Sequence, residues 1–367
     1  MLVISVFAVL TWSGALERAR QSAPAVVAAR MRVDEVRARA TGAAVLPNPT
    51  VEIESGTESG IAIAQDLDLR RRPRIDAAQA AVRQEERRAE EVARETLRDV
   101  ATAFLRAMEG GERVAAASRS RELASEALKI AERRYAAGDV AQLDVNLART
   151  AVARAEADVR AAEANSASGA TELQVLLGLD ERATVEGSLH DELAFSVARA
   201  DLRVLEEEIA EAEAEQRLAQ AMRWPDVGVR GALRNEQGDR IVTAGVGFTL
   251  PFFQRGQAAA AEANARLARL RAERDALAKR TDVEVRGARA TVDALKEAAA
   301  AYERTVIPLT DENEQLALES YEVGQIGLGD LLLVRREALD ARGALIDRLI
   351  ETRLAEVELR ARAGAPQ

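Results

Sequence analysis

The sequence predicts a mainly α-helical protein with a small β part. Only 3% of the 367 residues are aromatic, whereas 31% are charged, and Ala, Arg, Glu and Leu dominate. This composition is typical of long helices that pack through small residues. Two short segments alternate apolar and polar residues with a period of two, which indicates strands. A glycine-containing turn also recurs with the same residues at the same spacing, which indicates an internal repeat.

The recurring turn joins helical segments at two places in the chain. Its copies are RRYAAGDVAQLD (133–144) and ESYEVGQIGLGD (319–330), which lie 186 residues apart. The matched residues are Tyr135 and Tyr321, Gly138 and Gly324, and Asp144 and Asp330. Because these residue types are scarce here, composition alone does not account for the matches. The sequence therefore predicts two repeats, residues 10–186 and residues 187–367, preceded by residues 1–9.

Helical patterns fill most of each repeat in the same order. In the first repeat we expect helices over 15–44, 72–137 and 140–165, a weak point at Gly110–Gly111, and an irregular stretch over 166–195. In the second repeat we expect helices over 196–222, 253–322 and 328–362, with a bend or break near Pro308. Each long helix is thus followed by the recurring turn and by a return helix.

A stretch unlike the rest separates the first two helices of each repeat. In residues 47–69, Val51 and Ile53 alternate with glutamates, and a glycine-containing break precedes a second alternating run. Residues 225–250 contain two further runs, PDVGVRGAL and IVTAGVGFTL, around the turn NEQGDR. One face of the last run carries Val242, Ala244, Val246, Phe248 and Leu250. Both stretches therefore predict β-hairpins.

The two hairpins are expected to be unstable alone, because isolated hairpins are marginal and their edge strands expose unpaired backbone. Three copies of the chain would supply about twelve strands, which can close into a barrel within the bacterial outer-membrane range. Trp224, Phe252 and Phe253 would then lie at one rim, where aromatic side chains anchor at a lipid interface. The alternative is that these aromatics cover the small core of a soluble hairpin.

The chain begins with the apolar run MLVISVFAV. This run has the length of a signal-peptide hydrophobic region, but a basic segment before it and a clear small-residue cleavage site are lacking. Two interpretations of residues 1–9 therefore stay open: a signal-peptide remnant, or the first turn of a buried helix.

The sequence offers little basis for catalysis. His190 is the only histidine and there is no cysteine, so one chain cannot build a histidine triad or a histidine or thiolate metal cluster. We find no convincing Walker loop or dinucleotide fingerprint. The net charge is −10, without a concentrated basic stripe, which argues against nucleic acid. We therefore expect no enzyme activity, no cofactor, no metal site and no nucleic-acid partner.

Five segments match, in their order and spacing, those of a known family. They are LTWSGALERARQSAP (10–24), LPNP (46–49), QDLDLRRRPR (65–74), LQVLLG (173–178) and TLPFFQRGQ (249–257). With them the chain resembles the outer membrane factors of tripartite efflux systems, the TolC-like channels, and within these the CzcC-like heavy-metal efflux branch. The resemblance covers nearly the whole sequence.

This resemblance implies a homotrimeric channel. A twelve-stranded β-barrel, four strands per chain, would cross the bacterial outer membrane and continue as a long α-helical barrel into the periplasm. The implied function is passive conduction of substrates, divalent heavy-metal cations in the CzcC-like branch, from periplasm to exterior. The implied partners are outer-membrane lipid, a periplasmic adaptor (membrane fusion protein) and, through it, an inner-membrane pump of the resistance-nodulation-division type.

The resemblance also implies roles for the recurring turns, as tips that contact the adaptor. The tip residues are Gly138, Asp139, Gly324 and Gln325. Glycine can adopt the left-handed conformation that ends a helix, so each glycine is expected to cap its helix as well. The capping role and the contact role do not exclude each other.

Asp144, Tyr321 and Asp330 match positions that the family uses near its periplasmic constriction. Three-fold symmetry would turn each aspartate into a ring of three carboxylates, which favours cations. The alternative for either aspartate is a solvated helix face. Ile326 and Leu333 stand where a well-known relative has an arginine and a second aspartate, so the closing network of that relative is incomplete here.

Two other classes of protein fit parts of the pattern. In a soluble periplasmic coiled-coil scaffold, the long helices would form the main structure and the hairpins would be minor interruptions of it. A periplasmic adaptor would also contain a long helical hairpin, but that hairpin would interrupt a lipoyl-like β domain. The duplicated order of elements argues against the adaptor.

Overall fold

The computed structural model describes residues 8–55, 59–196, 201–236 and 239–364, and these are mainly helical, as predicted. The helices are α1 (Trp12–Ser22), α2 (Pro24–Ala43), α3 (Arg71–Ala137), α4 (Gln142–Leu177), α5 (Asp201–Ala221), α6 (Gln257–Glu322) and α7 (Leu328–Ala363). The strands are β1 (Ala8–Leu10), β2 (Thr50–Glu54), β3 (Ser59–Leu67), β4 (Ala183–Val185), β5 (Asp226–Glu236) and β6 (Asp239–Thr249). Within these ranges no helix is long and apolar enough to span a membrane.

Four of the predicted features fall partly outside the described residues. They are the signal-peptide interpretation, which includes residues 1–7, the first hairpin turn at residues 56–58, the start of the helix predicted over 196–222, which includes residues 197–200, and the second hairpin turn at residues 237–238. Next to the first of these, residues 8–10 form β1 and not a helical turn. The helical alternative for residues 1–9 is therefore wrong at residues 8 and 9.

The chain forms two compact units. The first comprises Met1–Val27, Ala93–Arg199 and Thr281–Gln367. The second comprises Ala28–Val92 and Ala200–Arg280. Each unit contains residues from both predicted repeats, so the compact units do not coincide with the repeats.

The first unit has its main core around helix α1. Thr11 caps this helix, because its hydroxyl oxygen accepts a hydrogen bond from the Gly14 amide at 3.2 Å. Trp12 packs edge-on against Phe104 of α3, with ring centroids 5.5 Å apart, and its indole N–H donates to the Ala194 carbonyl. β1 pairs in parallel with β4 beside this core. These contacts join the start of the chain to the segment that follows α4.

Close packing of α3 against α4 explains why the predicted weak point at Gly110–Gly111 is wrong. Helix α3 is continuous there. A β-carbon on Gly110 would lie 2.8 Å from the Ser166 α-carbon of α4, whereas one on Gly111 would meet open space. Gly110 thus allows α3 and α4 to pack closely and does not break α3.

Several predicted helix boundaries are also corrected. The helix predicted over 15–44 is two helices, divided at Ala23 before Pro24. The return helix α4 extends beyond residue 165 to Leu177, where Gly178 in the left-handed region ends it, so residues 166–177 are not irregular. Helix α6 is continuous through Pro308, because one missing amide donor does not outweigh the remaining hydrogen bonds of a 66-residue helix.

The second unit contains a four-stranded antiparallel sheet in the order β2-β3-β5-β6, so both predicted hairpins are present. Val51 of β2 lies opposite Ile63 of β3, and Val229 of β5 lies opposite Val246 of β6. The second hairpin is longer than predicted, because Glu236 pairs with Asp239. The predicted six-residue turn NEQGDR is therefore mostly strand.

Candidate functional site

The two recurring turns of the first unit share one backbone geometry. Gly138 and Gly324 have φ angles of +83° and +79°, in the left-handed region that favours glycine. After the first glycine, the Asp139 amide donates back to the Arg134 carbonyl at 2.9 Å, and after the second, the Gln325 amide donates to the Ser320 carbonyl at 2.8 Å. These bonds are the Schellman ending of a helix, and the chain reverses within four residues at the first turn and five at the second.

The four predicted tip residues are all exposed in the described chain: Gly138, Asp139, Gly324 and Gln325. Their backbone groups are partly used by the helix endings described above. The side chains of the aspartate and the glutamine are available to another molecule. The turns can therefore both end their helices and present a surface.

Tyr321 lies beneath the second turn and is fully buried, with 0% of its surface exposed. It belongs to a small core cluster made by the ends of α3, α4, α6 and α7 that includes Ile130, Ala131, Ala148 and Leu331. Its hydroxyl is buried and has no hydrogen-bond partner among the described residues. Tyr135, its match in the first repeat, is 46% exposed.

Arg134 covers the Tyr321 ring from helix α3. Its guanidinium carbon lies 4.9 Å from the ring centroid, and its Nη1 donates to the Tyr321 carbonyl at 2.7 Å. Burial raises the pKa of the Tyr321 hydroxyl, Arg134 opposes this rise, and the nearby Asp144 carboxylate adds to it. The structure therefore brings Tyr321 and Asp144 together and adds Arg134, which the sequence analysis missed.

The two aspartates occupy matching positions in the first turns of their helices. Asp144 is half-buried at the start of α4. Asp330 is exposed at the start of α7, and its Oδ2 accepts a hydrogen bond from the Gly327 amide at 3.2 Å. A carboxylate at this position caps the helix and interacts favourably with its dipole. Asp330 thus has a local capping role, whatever else it contacts.

One face of the sheet in the second unit is apolar and exposed. The large exposed apolar side chains on this face are Val51, Ile53, Ile61, Ile63, Leu67, Val229, Leu233, Val242, Val246 and Phe248. Soluble monomers rarely expose a continuous apolar patch of this kind. This surface, here called the apolar sheet face, therefore needs an apolar environment.

The opposite face of the same sheet is polar. Arg230 of β5 forms an ion pair with Glu52 of β2 at 2.6 Å, and Arg234 forms one with Glu54 at 3.8 Å. Both pairs are about half exposed, so water can reach them. The sheet thus has one apolar face and one polar face.

The three predicted interface aromatics lie just outside the second hairpin. Trp224 precedes β5, and Phe252 and Phe253 follow β6. All three are exposed, and Phe253 has 90% of its surface accessible. Aromatic side chains that cover a small soluble core would be buried, so the soluble-core alternative does not fit their exposure.

The described residues, 8–55, 59–196, 201–236 and 239–364, contain no candidate metal centre. Within them no three His, Cys, Asp or Glu side chains are grouped so that they could hold a metal ion. His190 is half exposed, and its Nδ1 lies 3.5 Å from a carboxylate oxygen of Glu303.

Comparison with known proteins connects these features to a family. Residues 15–179 match the family model for outer membrane efflux proteins. The sequence is 27% identical to the cobalt-zinc-cadmium resistance protein CzcC of Cupriavidus metallidurans, over 91% of this chain and 85% of the relative. These matches show that the chain is similar to outer membrane efflux proteins.

Solved structures support the fold of this chain. The CusC channel superposes with a TM-score of 0.81 at 17% identity, covering 97% of this chain and 92% of that chain. The outer membrane protein VceC of Vibrio cholerae superposes with a TM-score of 0.75 at 17% identity, covering 96% of both chains. The predicted TolC-like fold is confirmed.

The expected function and location of the chain are confirmed. It is an outer membrane efflux channel that extends into the periplasm. The family model that matches describes outer membrane efflux proteins, which are transporters and not enzymes. The soluble scaffold and the adaptor are therefore not favoured.

Proposed function

We propose that the efflux protein is a homotrimeric channel that passively conducts divalent heavy-metal cations from the periplasm to the exterior. The observation that carries this proposal is the apolar sheet face, backed by the charged opposite face. In a closed barrel, the apolar face would contact lipid and the face with Arg230 and Glu52 would line the water-filled interior. Trp224, Phe252 and Phe253 would lie at the lipid interface.

Trimer formation follows from the edges of the sheet. β2 and β6 are its outer strands, and each pairs on one side only among the described residues. Such edges expose unpaired amides and carbonyls, which in lipid would each cost several kcal/mol. Three sheets joined edge to edge would give about twelve strands and leave no free edge. A smaller assembly would enclose too narrow a barrel to conduct.

The gate of this channel is proposed to include Asp144, Tyr321 and Asp330. The support is local: the Arg134 guanidinium lies over the Tyr321 ring, Asp144 contributes to the raised pKa of Tyr321, and Asp330 is exposed at the matching position of α7. Three-fold symmetry would place three carboxylates at each level and so favour cations over anions. Ile326, which is half-buried, packs against the Tyr321 cluster, so apolar contacts would replace a polar link there.

The partners are proposed to be an adaptor and an inner-membrane pump of the resistance-nodulation-division type. The adaptor would contact the exposed tips at Gly138, Asp139, Gly324 and Gln325. Both tips have the same backbone geometry, so one adaptor motif could bind either of them. The channel itself is proposed to have no catalytic role.

The substrate class is proposed from the relative whose printed name is a cobalt-zinc-cadmium resistance protein. Carboxylate rings would favour such cations without binding them tightly, and tight binding would slow conduction. Selection among metals would therefore be made by the pump.

Conductance in a planar lipid bilayer tests the proposal. Purified protein is expected to give stepwise currents, with a reversal potential in a KCl gradient that indicates preference for cations. Replacing KCl by ZnCl₂ should leave measurable current. Absence of discrete currents from protein of native helical content would contradict the channel, and a preference for anions would contradict the carboxylate gate.

A further inference from the structure

The sheet of the second unit has a basic rim at the end from which the long helices continue. Leu67 of β3 lies opposite Val227 of β5, and Asp226 of β5 lies opposite Thr249 of β6. The end of β3, the start of β5 and the end of β6 therefore lie side by side. The arginines just beyond these strand ends, here called the basic rim, are Arg70, Arg71, Arg72, Arg74, Arg223 and Arg255.

Carboxylates of the same region neutralise three of these arginines. The ion pairs are Arg70 with Asp226, Arg72 with Asp76 at 3.5 Å, and Arg74 with Asp68 at 2.6 Å. A further carboxylate, Asp66, lies on the polar face of the sheet, because it is two residues from Ala64, which lies opposite Arg230. These carboxylates are thus paired within the rim or lie on the polar face, and none of them neutralises the other three arginines.

The other three arginines, Arg71, Arg223 and Arg255, keep an uncompensated charge. All three are exposed, and within the described chain none of them forms an ion pair. The Arg71 Nε donates to the Ala44 carbonyl and the Arg255 Nε donates to the Phe252 carbonyl, both at 3.0 Å. These bonds orient the two guanidinium groups and leave their Nη atoms available. An exposed guanidinium with free Nη donors suits the oxygens of a phosphate.

Exposed aromatic side chains lie next to these charges. Trp224 follows Arg223 in the chain and is 42% exposed, and Phe252, whose carbonyl accepts from Arg255, is 64% exposed. In the proposed barrel, such aromatics would lie at the boundary between the hydrocarbon core and the lipid headgroups. Arginines beside them would reach the lipid phosphates, because their long stems can lie along apolar surface while the guanidinium stays in the polar layer.

We propose that Arg71, Arg223 and Arg255 bind the phosphate groups of anionic phospholipids in the periplasmic leaflet. The proposal rests on the proposed function, since only a barrel in the membrane brings the rim to a lipid surface. Charge complementarity favours anionic lipids over zwitterionic ones, whose own ammonium group would offset part of the attraction. A free phosphate ester offers similar oxygens, but it lacks acyl chains that would contact the apolar sheet face beside the rim.

The test is lipid-selective quenching of Trp224 fluorescence in the full-length protein folded into vesicles. The vesicles contain equal amounts of phosphatidylglycerol and phosphatidylcholine, and one of the two lipids carries bromine, which quenches tryptophan on contact. Trp224→Phe supplies the background from Trp12, the other tryptophan. Brominated phosphatidylglycerol is expected to quench Trp224 more strongly than brominated phosphatidylcholine. Each arginine at the anionic surface is expected to contribute about fivefold to this preference.

Two controls connect the preference to the rim. Arg223→Gln should lower it about fivefold, whereas the matched variant Arg240→Gln, which removes the same charge near the other end of the sheet, should leave it unchanged. Salt at about 1 M should abolish the preference, because the Debye length falls to about 3 Å. Helical circular dichroism checks that each variant is folded.

The possible failures are distinguishable. Equal quenching by the two brominated lipids, or an equal loss of preference for Arg223→Gln and Arg240→Gln, would overturn the proposal while leaving the channel intact. Absence of quenching by either lipid would contradict the membrane barrel and so the proposed function. If free glycerol phosphate abolished the preference at an ionic strength at which sodium chloride does not, the rim would bind soluble phosphate esters, and the lipid assignment would be wrong.

Discussion

The apolar sheet face makes a quantitative prediction about one pair of neighbouring residues. Ala244 and Thr243 lie at the middle of β6, both exposed, with their side chains on opposite faces of the sheet. Ala244 lies opposite Gly231 on the apolar face, and Thr243 lies opposite Ala232 on the polar face. Replacing each by arginine introduces the same charge at the same level of the strand.

The two substitutions are expected to differ strongly. An arginine on the lipid face near the bilayer midplane costs about 2–4 kcal/mol, so Ala244→Arg should lose roughly 6–12 kcal/mol per trimer. Thr243→Arg would face water, where surface substitutions usually change stability by less than about 0.5 kcal/mol. The assay is the denaturant-dependent folding of each variant into lipid vesicles, with the free energy of folding compared with that of wild type.

The reasoning about the sheet would be refuted by equal effects of the two arginines. It would also be refuted if Thr243→Arg were the more costly substitution, since the lipid-facing side would then be the opposite one.

Three further predictions concern the helical unit. Gly138→Val and Gly324→Val should weaken adaptor binding, measured by surface plasmon resonance, while trimers persist, because valine is strained at the positive φ of both tips. Asp330→Ala should raise single-channel conductance or reduce cation preference, because one carboxylate ring is lost. Gly110→Ala should lower the thermal midpoint of the helical signal through the clash with α4, at a cost of about 1–3 kcal/mol, whereas Gly111→Ala should raise it slightly.

Each of these three predictions has an outcome that would contradict it. Gly287, a helical glycine with open space around it, supplies the control for the tips. If Gly287→Val weakened adaptor binding as much as the tip variants do, the tips would not be the contact surface. Unchanged conductance and selectivity would remove Asp330 from the gate. Similar midpoints for the two alanine variants would mean that the Gly110 contact is relaxed without cost.

Local patterns predicted the two hairpins better than the helix boundaries, whereas the short strands β1 and β4 were not predicted. Both hairpins follow from alternation, since one face of each strand is apolar along its length. The close packing at Gly110 could not be predicted from local patterns, because its packing partner Ser166 is remote in sequence. Local rules treat such a glycine as a weak point in a helix. Likewise, Pro308 is a breaker by local rules, but the helix around it continues.

The candidate site was predicted in its positions but not in its environment. Tyr135 and Tyr321 are equivalent in the repeat, yet one is exposed and the other is buried. The difference lies in Arg134, which covers Tyr321, because its match in the second repeat is Ser320 and cannot cover Tyr135 in return. The comparison of matched positions was the available signal for Arg134.

The central claim, a trimeric channel in the outer membrane, is tested most directly by the particle mass of protein extracted from an envelope fraction. Light scattering corrected for bound detergent gives this mass. The account predicts that extraction needs detergent and that the protein mass is three times the 39.6 kDa of one chain. A water-soluble monomer or dimer would contradict it, because the apolar sheet face would then not contact lipid.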